Sequence, residues 1–374
     1  MKILIVDTYY PKFLADFYRS NPIASRSSAE QKKALLASGF GTSDAYSRNL
    51  NSLGVEAEEI IANNAPLQLM WARENGLVAG LLSRLPQSWT TGEMLGPIFD
   101  RSHVLVHLLV EQIRRAKPDI LYLQDLGAIP PDLLMTLKSY VGLVVGQVAS
   151  PLLPEKWLKP YDLILTSFPH FVDRIRAIGI ASHCFRLGFD ETILAKIGQP
   201  ARRYACTFVG GLTAAHARGT AFLEYVAKSG TVDFFGYGKN ILRSDSPIRP
   251  RHHGEVWGLD MFRVLAESSI TINRHIDVAE DNANNMRLYE ATGVGTMLLT
   301  DAKKNLGDLF EVGKEVVTYR DESDAVRLIR YYTQHPEERD AIAKAGQART
   351  LREHSYKNRM RELLQILNDA RRAA

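Results

Sequence analysis

Short apolar runs alternate with segments of helical periodicity along most of this chain. The first run, residues 3–6, is continuously apolar, which is typical of a strand buried on both faces of a parallel sheet. The same reasoning predicts four further strands, at residues 55–61, 119–124, 143–148 and 162–167. Helices fit between them, including one with Tyr46, Leu50 and Leu53 on one face and one near residues 104–115. This alternation predicts an α/β fold with parallel strands.

The pattern restarts after a polar connector at residues 198–203. Strands are predicted at residues 205–209, 232–235, 270–273 and 296–300, with helices at residues 220–228 and 285–292 between them. Ser355 is a good cap for a last helix. We therefore predict two Rossmann-like, doubly wound domains, residues 1–198 and 199–355, facing a central cleft, followed by a C-terminal helix over 356–374. Ligands of such folds bind beyond the carboxyl ends of the strands.

Residues 20–44 depart from this pattern, being rich in Ser, Asn and Gly with a short helical stretch inside. We interpret them as a long, mobile excursion after the first strand. Such an excursion is either a functional lid, which would belong to an acceptor site, or a plain surface insertion.

Composition narrows the class of protein. A chain of 374 residues with 45% hydrophobic and 24% charged residues is typical of a globular protein of two domains. Its net charge of +4 suits a small anionic ligand and does not by itself indicate nucleic acid. Two cysteines exclude a disulfide framework and indicate a reducing compartment. No apolar run is long enough for a signal peptide or a membrane span, so we expect a cytoplasmic protein.

Several familiar chemistries are excluded by missing motifs. The chain lacks the phosphate-binding loop G-x-x-x-x-G-K-[ST], the dinucleotide motif G-x-G-x-x-G and the serine hydrolase motif G-x-S-x-G. It also lacks an Asp-x-Asp pair for a metal-bound nucleotide. His252 and His253 have no third ligand nearby, and we interpret them as part of an exposed loop. No metal site is predicted.

The segment Asn284-Asn285-Met286-Arg287-Leu288-Tyr289-Glu290 carries the most specific chemistry. On a helix, Arg287 and Glu290 project from one face, and the free N–H groups at the helix start favour an anion. Arg287 would bond the same phosphate, and Glu290 would accept bonds from ribose hydroxyls. The alternative is an ordinary surface ion pair that contributes only tenths of a kcal/mol.

A family resemblance bears on this choice. The chain carries S-x-I-T-x-N-x-H, then N-M-R-x-x-E-A-T-G, a strand ending in Thr-Asp, and D-L-F-x-x-G-x-E-V-V-T-Y. H-P-E-E-R and the closing helix follow. These features, over residues 204–367, resemble the donor-binding half of GT-B glycosyltransferases, specifically the CgeB-like group first named for spore maturation. The first half resembles them more weakly, in residues 161–168 and 186–190.

The resemblance implies a nucleotide-diphosphate sugar as donor substrate and no cofactor. It assigns Glu290 to the ribose, and Arg287 with the helix start at Asn284 and Asn285 to the diphosphate. Gly210 and Gly211 would let the backbone approach the phosphates. The base would lie against Gly236, Tyr237 and Gly238, and the strand end at Asn273, Arg274 and His275 would complete the site, with His275 touching phosphate or sugar.

One departure concerns stereochemistry. Many retaining enzymes of this fold have a second glutamate eight positions before the ribose-binding one, and here that position is Asn282. We therefore lean towards inversion, which requires a general base from the first domain. Asp7 and Asp125 both follow predicted strands and are the candidates, although an aspartate at a strand end is also a common helix cap or turn former.

These inferences predict a metal-independent glycosyltransferase of the hexosyltransferase class. UDP, dTDP and GDP donors are not distinguished, and the acceptor, whether glycan, lipid-linked sugar, protein or metabolite, is not identified. The alternatives are a non-catalytic nucleotide-sugar-binding protein or partner subunit, and a sugar-nucleotide epimerase of the same fold.

Overall fold

The computed structural model describes residues 1–77, 103–212 and 217–373 of the chain. The chain forms two compact units: Met1–Thr166, His170–Cys184 and Leu363–Ala374 form the first, and Ser167–Pro169 with Phe185–Glu362 form the second. The first unit includes the last part of the predicted C-terminal helix, from Leu363, and its N-terminal part ends at Cys184, before the predicted boundary at residue 198. The reason is that Phe189 and Ile193 are buried in the core of the second unit.

The first unit contains a sheet of six parallel strands. The strands are β1 (Lys2–Asp7), β2 (Glu56–Ile61), β3 (Ile120–Leu123), β4 (Leu143–Val148), β5 (Leu163–Thr166) and β6 (Ala181–Cys184). They lie in the order β2-β1-β3-β4-β5-β6. Val6 of β1 lies opposite Ile60 on one side and Leu123 on the other, so β1 is an interior strand. Its residues 3–6 are almost completely buried, as the continuous apolar run predicts.

Eight helices connect these strands within the described residues: α1 (Pro11–Ser20), α2 (Ser28–Ala37), α3 (Ala45–Ser52), α4 (Ala65–Glu74), α5 (His103–Ala116), α6 (Pro131–Leu137), α7 (Glu155–Leu158) and α8 (Pro169–Ala177). The predicted excursion at residues 20–44 contains the expected helical stretch, α2, which spans ten residues. Ser27 and Glu30 form a reciprocal capping box at its start. Gln31, fully buried, bonds to the Ala24 carbonyl at 3.0 Å and so ties the helix to the preceding loop.

The second unit contains five parallel strands: β7 (Tyr204–Val209), β8 (Val232–Phe235), β9 (Ser268–Asn273), β10 (Met297–Asp301) and β11 (Val317–Tyr319). Their order is β11-β10-β9-β7-β8. The helices are α9 (Thr192–Ile197), α10 (Ala217–Ala227), α11 (Gly258–Ala266), α12 (Met286–Gly293), α13 (Glu322–Gln334) and α14 (Pro336–Glu353). A last helix, α15 (Tyr356–Ala373), begins in the second unit and ends in the first.

Both faces of the second sheet are buried. Met297 and Leu299 of β10 belong to one apolar cluster, which includes Ile329 of α13. Leu298 between them belongs to another, with Leu288 of α12. Neighbouring strand residues point to opposite faces, so helices must cover each side. This arrangement confirms the predicted α/β architecture of two doubly wound sheets.

The strands predicted from apolar runs are confirmed, with ends that differ by at most two residues. Strands β6 and β11 were not predicted. The sequence of β6, Ala-Ser-His-Cys, is mostly exposed at the sheet edge, and β11 has only three residues. Among the described residues, no helix combines the length and apolar character needed to cross a membrane.

Candidate functional site

The carboxyl edge of the second sheet has a point where the strand order reverses. The first strand, β7, has β8 on one side and β9 on the other. In doubly wound sheets the connections diverge at such a point and leave a crevice beyond the strand ends, where ligands bind. Here the residues after β7 are Gly210 and Gly211, and those after β9 are Arg274 and His275. Sequence reasoning placed all four in the donor site.

The start of α12 is tied to the end of β9. Asn285 caps the helix, since its Oδ1 accepts from Leu288 N at 3.2 Å. Its Nδ2 donates to Asn273 Oδ1 at 3.0 Å. Asn284 is buried, donates from Nδ2 to the Ser167 carbonyl at 2.9 Å, and accepts from the Tyr289 hydroxyl at 3.2 Å. The helix N-terminus, with its partial positive charge, is therefore held at the strand reversal.

Arg287 and Glu290 form an ion pair of 2.7 Å between Nη1 and Oε2. Their side chains are only 15% and 8% exposed, so this is not the ordinary surface pair that the sequence left as an alternative. Burial raises the pKa of Glu290, and the charge of Arg287 opposes that rise. Arg287 also donates from Nε to the Val209 carbonyl at 3.1 Å and lies 3.4 Å from the Met261 sulfur. The pair is thus held against the end of β7, directly before the two glycines.

The two glycine turns pack against each other. A Cβ at Gly211 would overlap the ring of Tyr237, and one at Gly236 would overlap the Gly210 carbonyl. Gly236 also has a φ of +129°, which side chains with a Cβ rarely adopt. Leu212 N donates to the Tyr237 carbonyl at 2.9 Å. The glycines therefore bring the ends of β7 and β8 together, as the predicted site requires.

Trp257 joins this cluster, and sequence reasoning missed it. Its ring is nearly parallel to that of Tyr237, at 14°, with 6.1 Å between centroids. Trp257 is the residue that precedes α11, and Met261 of the same helix contacts Arg287. In the sequence, Trp257 appears only as a tryptophan at a helix start. That position does not indicate which strand end the tryptophan faces.

His275 is buried beside Asp301. Asp301 was not among the predicted site residues. Its Nδ1 donates to Asp301 Oδ1 at 2.7 Å and its backbone N donates to the same oxygen at 3.1 Å. Asn273 donates to Thr300 Oγ1 at 3.0 Å, next to Asp301 on β10. Arg274 differs from its neighbours, because it pairs with the half-exposed Asp277 at 3.2 Å.

The first sheet has its own reversal, between β1 and β3. Asp7 ends β1, and Asp125 follows β3. Thr8 connects them, because its hydroxyl donates to Asp125 Oδ2 and its backbone N donates to Asp7 Oδ1, each at 2.8 Å. The two predicted acids therefore lie together.

The two carboxyls differ in their environment. Burial raises the pKa of Asp7 to about 7, the Thr8 N–H opposes that rise, and the charges of Asp125 and Glu59 add to it. Glu59, a third acid that sequence reasoning missed, is buried and accepts from Ser47 N at 2.9 Å. Glu59 lies in β2, next to β1, and its position in the sequence did not indicate that it would be near Asp7. Asp125 accepts from Gly127 N at 2.8 Å, a turn-forming contact.

His252 and His253 were predicted to lie on an exposed loop, and this is wrong for His252. Its ring is buried, and Nδ1 accepts from Gly254 N at 3.1 Å. Burial, with the nearby Lys239, lowers its pKa. His253 is exposed and lies 2.7 Å from Asp233. The residues that the structure describes contain no group of three His, Cys, Asp or Glu side chains suited to a metal ion.

A family model matches part of the chain. A model of glycosyl transferase-like proteins matches residues 216–365, which include α12 and His275. A search of curated protein sequences finds no match.

Solved structures match almost the whole chain. HepE of Anabaena, solved with UDP-glucose, has a TM-score of 0.58 and 12% identity over 99% of this chain and 100% of its own. Sucrose-phosphate synthase from Thermosynechococcus elongatus has a TM-score of 0.59 and 10% identity over 100% of both chains. AviGT4, a glycosyltransferase of avilamycin A biosynthesis, has a TM-score of 0.58 and 14% identity over 100% and 99%. The chain therefore has the GT-B glycosyltransferase fold.

Proposed function

We propose that the protein is a glycosyltransferase that takes a sugar from a nucleotide-diphosphate donor bound at the β7–β9 edge of the second unit. The observation that carries this proposal is the placement of Arg287 and Glu290. Glu290 is buried and Arg287 is largely covered. Both lie at the strand reversal, beside a capped helix start and two glycines, and both belong to the segment that the family model matches. HepE, of the same fold, was solved with UDP and with UDP-glucose, so UDP-sugars are the first donors to test.

The roles of the residues follow from their chemistry. The diphosphate would lie at the start of α12, where free N–H groups and Arg287 supply charge-assisted bonds. These groups would also stabilise the negative charge that develops on the departing nucleotide. Glu290 would accept bonds from the ribose hydroxyls. Tyr237 and Trp257, stacked at the end of β8, offer an aromatic surface to the base.

Ribose binding by Glu290 is coupled to phosphate binding by Arg287. In this structure the two side chains satisfy each other at 2.7 Å. When Arg287 turns to a phosphate, buried Glu290 needs new donors, since an unpaired buried carboxylate is costly. Two ribose hydroxyls supply them. The pair therefore favours a ligand that carries both groups at once, as a nucleoside diphosphate does.

A general base is proposed in the first unit. Asp7, with a pKa of about 7, can accept a proton from an acceptor hydroxyl near neutral pH. Asp125 remains a second candidate, because it shares Thr8 with Asp7. The acceptor is a hydroxyl compound of a class that is not identified. We further propose the CgeB-like group, transfer of a hexose, and catalysis without an essential metal.

A non-catalytic nucleotide-sugar-binding protein is the second candidate, and a sugar-nucleotide epimerase the third. Asp7 favours an enzyme, because a carboxyl whose pKa is shifted by burial beside two other acids is typical of catalytic sites. A binding protein has no need of that arrangement.

The test is release of the nucleoside diphosphate. The purified chain is incubated with UDP-, dTDP- and GDP-sugars, each with a mixture of sugar, lipid-linked and small-molecule acceptors, with and without EDTA. We expect one nucleotide class to give release that depends on an acceptor and persists in EDTA. Asp7→Asn should reduce it at least a hundredfold, which is about 2.7 kcal/mol in the barrier. Binding without release in any mixture would support a binding protein, and conversion of the donor sugar would support an epimerase.

A further inference from the structure

His275 and Asp301 form a buried pair at the same strand edge as the proposed donor site. The His275 residue is 2% exposed. A single carboxylate oxygen, Asp301 Oδ1, accepts from the ring Nδ1 at 2.7 Å and from the His275 backbone N at 3.1 Å. Two bonds from one residue to one oxygen fix both the position of the residue and the rotation of its ring. The partners are 26 positions apart in sequence, on the ends of adjacent strands β9 and β10.

The other ring nitrogen is unused. Within the described residues, Nε2 of His275 is buried and has no hydrogen-bond partner. An ionised carboxylate can only accept, so Nδ1 must carry the hydrogen of its bond to Asp301. The neutral ring then presents a lone pair at Nε2. Buried polar atoms without a partner are rare in folded proteins, which indicates that this nitrogen meets a partner in another state of the molecule.

The charged groups around the pair favour a carboxylate at Asp301. Burial acts to raise its pKa, but the bonds and charge of His275 together with Lys303, 3.4 Å away, lower the pKa below its ordinary value. Thr300 donates its hydroxyl to Asp301 Oδ1 at 3.2 Å.

The remaining titratable neighbours lie on β11 and after β9. On β11, the Tyr319 hydroxyl donates to the Asn273 carbonyl at 2.8 Å, and burial near Asp301 raises its pKa. Arg274 is engaged by Asp277. Among these neighbours, Asp301 is the group that can balance a positive charge on the His275 ring.

We propose that His275 takes up a proton at Nε2 when a nucleoside diphosphate binds and donates it in a hydrogen bond to the phosphate, and that Asp301 is the positioning residue that makes this possible. The proton comes from the buffer, and no covalent bond changes. The inference rests on the proposed donor site. Its basis is the fixed ring, the unused nitrogen, and the link from Asn273 through Asn285 to the start of α12, where the anion is expected.

The experiment counts protons taken up on binding of UDP, or of dTDP or GDP if the protein does not bind UDP. Calorimetric titrations at pH 8 in buffers of different ionisation enthalpy give that number directly. At pH 8 an ordinary histidine is neutral and the second phosphate ionisation, near pH 6, is complete. The variants are His275→Gln, Asp301→Asn and Glu290→Gln, because Glu290 also has a raised pKa and could itself take up a proton. Asp277→Asn is the matched control, an aspartate of the same loop whose partner is Arg274.

We expect uptake of about one proton by the wild type, the Asp277→Asn control and Glu290→Gln. Uptake should disappear in His275→Gln and fall at least threefold in Asp301→Asn. If either Asp301→Asn or His275→Gln does not fold, Glu290→Gln must keep the uptake of one proton that is measured for the wild type. The affinity of the wild type should fall by up to tenfold per pH unit between pH 7.5 and 9, which one coupled proton requires.

Three results would overturn the inference. They are no uptake by the wild type, unchanged uptake in His275→Gln, or uptake that Glu290→Gln alone removes. Loss in His275→Gln with unchanged uptake in Asp301→Asn would overturn the role of Asp301. If the wild type binds no nucleotide at all, the proposed donor site fails instead, and this inference fails with it.

Discussion

At the scale of single residues, the site consists of charges placed where water cannot solvate them fully. Arg287 and Glu290 are three positions apart on α12, as several exposed pairs of this chain are on other helices. What distinguishes them is burial and a third partner, the Val209 carbonyl. An exposed pair contributes little because water screens it, whereas breaking a buried pair leaves an uncompensated charge. The same spacing therefore has different energetic consequences at the two places.

Arg287→Ala should lower the free energy of unfolding by about 3 kcal/mol, because it leaves Glu290 buried without its partner. The matched control is Arg327→Ala, whose i,i+3 partner is Asp324 and whose side chain is 66% exposed. We expect that change to cost about 0.5 kcal/mol. Urea denaturation followed by circular dichroism measures both. Equal costs would show that the Arg287 pair behaves as a surface pair.

The raised pKa of Asp7 predicts how the stability of the protein changes with pH. Because its pKa is raised to about 7, the folded chain keeps a proton that the unfolded chain loses above about pH 4. The contribution of Asp7 to stability therefore falls as pH rises from about 4 to 7. Asp7→Asn should gain stability relative to the wild type between pH 5 and pH 8, measured as the difference in urea midpoint. A difference that does not change with pH would contradict a raised pKa of the Asp7 carboxyl.

The ionisation of Asp7, which lowers stability, should increase the rate of catalysis. If Asp7 is the base, its ionised form is the active one, so kcat/KM should rise with pH through about 7 and then level off. A rate profile that is flat between pH 6 and 8 would remove Asp7 from this role and leave Asp125 as the candidate.

At the scale of elements, the site depends on how strand ends are brought together. The turns after β7 and β8 interlock because Gly211 and Gly236 have no Cβ to separate them. The start of α12 is fixed to β9 through Asn285, whose side chain caps the helix and also bonds to Asn273. A loop that merely joined these elements would not fix the start of α12 to the end of β9.

Gly236→Ala should be much more destabilising than Gly254→Ala. Both glycines have positive φ, of 129° and 97°, so each substitution forces alanine into an unfavourable backbone conformation. A Cβ at Gly254 meets open space, while one at Gly236 overlaps the Gly210 carbonyl. We expect about 1 kcal/mol for Gly254→Ala and at least twice that for Gly236→Ala. Thermal unfolding of the two variants measures these losses of stability. Similar losses would show that the turns after β7 and β8 can separate to accommodate the Cβ.

At the scale of the whole molecule, each unit has a parallel sheet with chemistry at its own strand reversal. The β1–β3 edge of the first unit carries acids, and the β7–β9 edge of the second carries a largely covered arginine and a helix start. The negatively charged phosphates of a sugar donor are therefore expected at the second unit. A hydroxyl acceptor is uncharged and gives up a proton, so it is expected at the acids of the first unit.

Much of this plan is predictable from sequence. Continuous apolar runs such as residues 3–6 indicate buried parallel strands, and polar residues that follow them lie at the carboxyl edge. Asp301, Trp257 and Glu59 were not predicted because their partners are distant in sequence. The His275–Asp301 contact depends on β9 and β10 being neighbours, and Glu59 nears Asp7 only through the pairing of β1 with β2. Strand order, which apolar patterns do not specify, decides these contacts.

The measurement that tests the account most directly is calorimetric binding of UDP, GDP, dTDP, ADP and CMP without added metal. It compares the wild type, Glu290→Ala and the control Asp324→Ala, an acid on another helix whose i,i+3 partner Arg327 is exposed. We predict that one nucleoside diphosphate binds with micromolar affinity, that Glu290→Ala weakens it at least tenfold, about 1.4 kcal/mol, and that Asp324→Ala does not. Absence of binding, or equal binding to wild type and Glu290→Ala, would contradict the donor site.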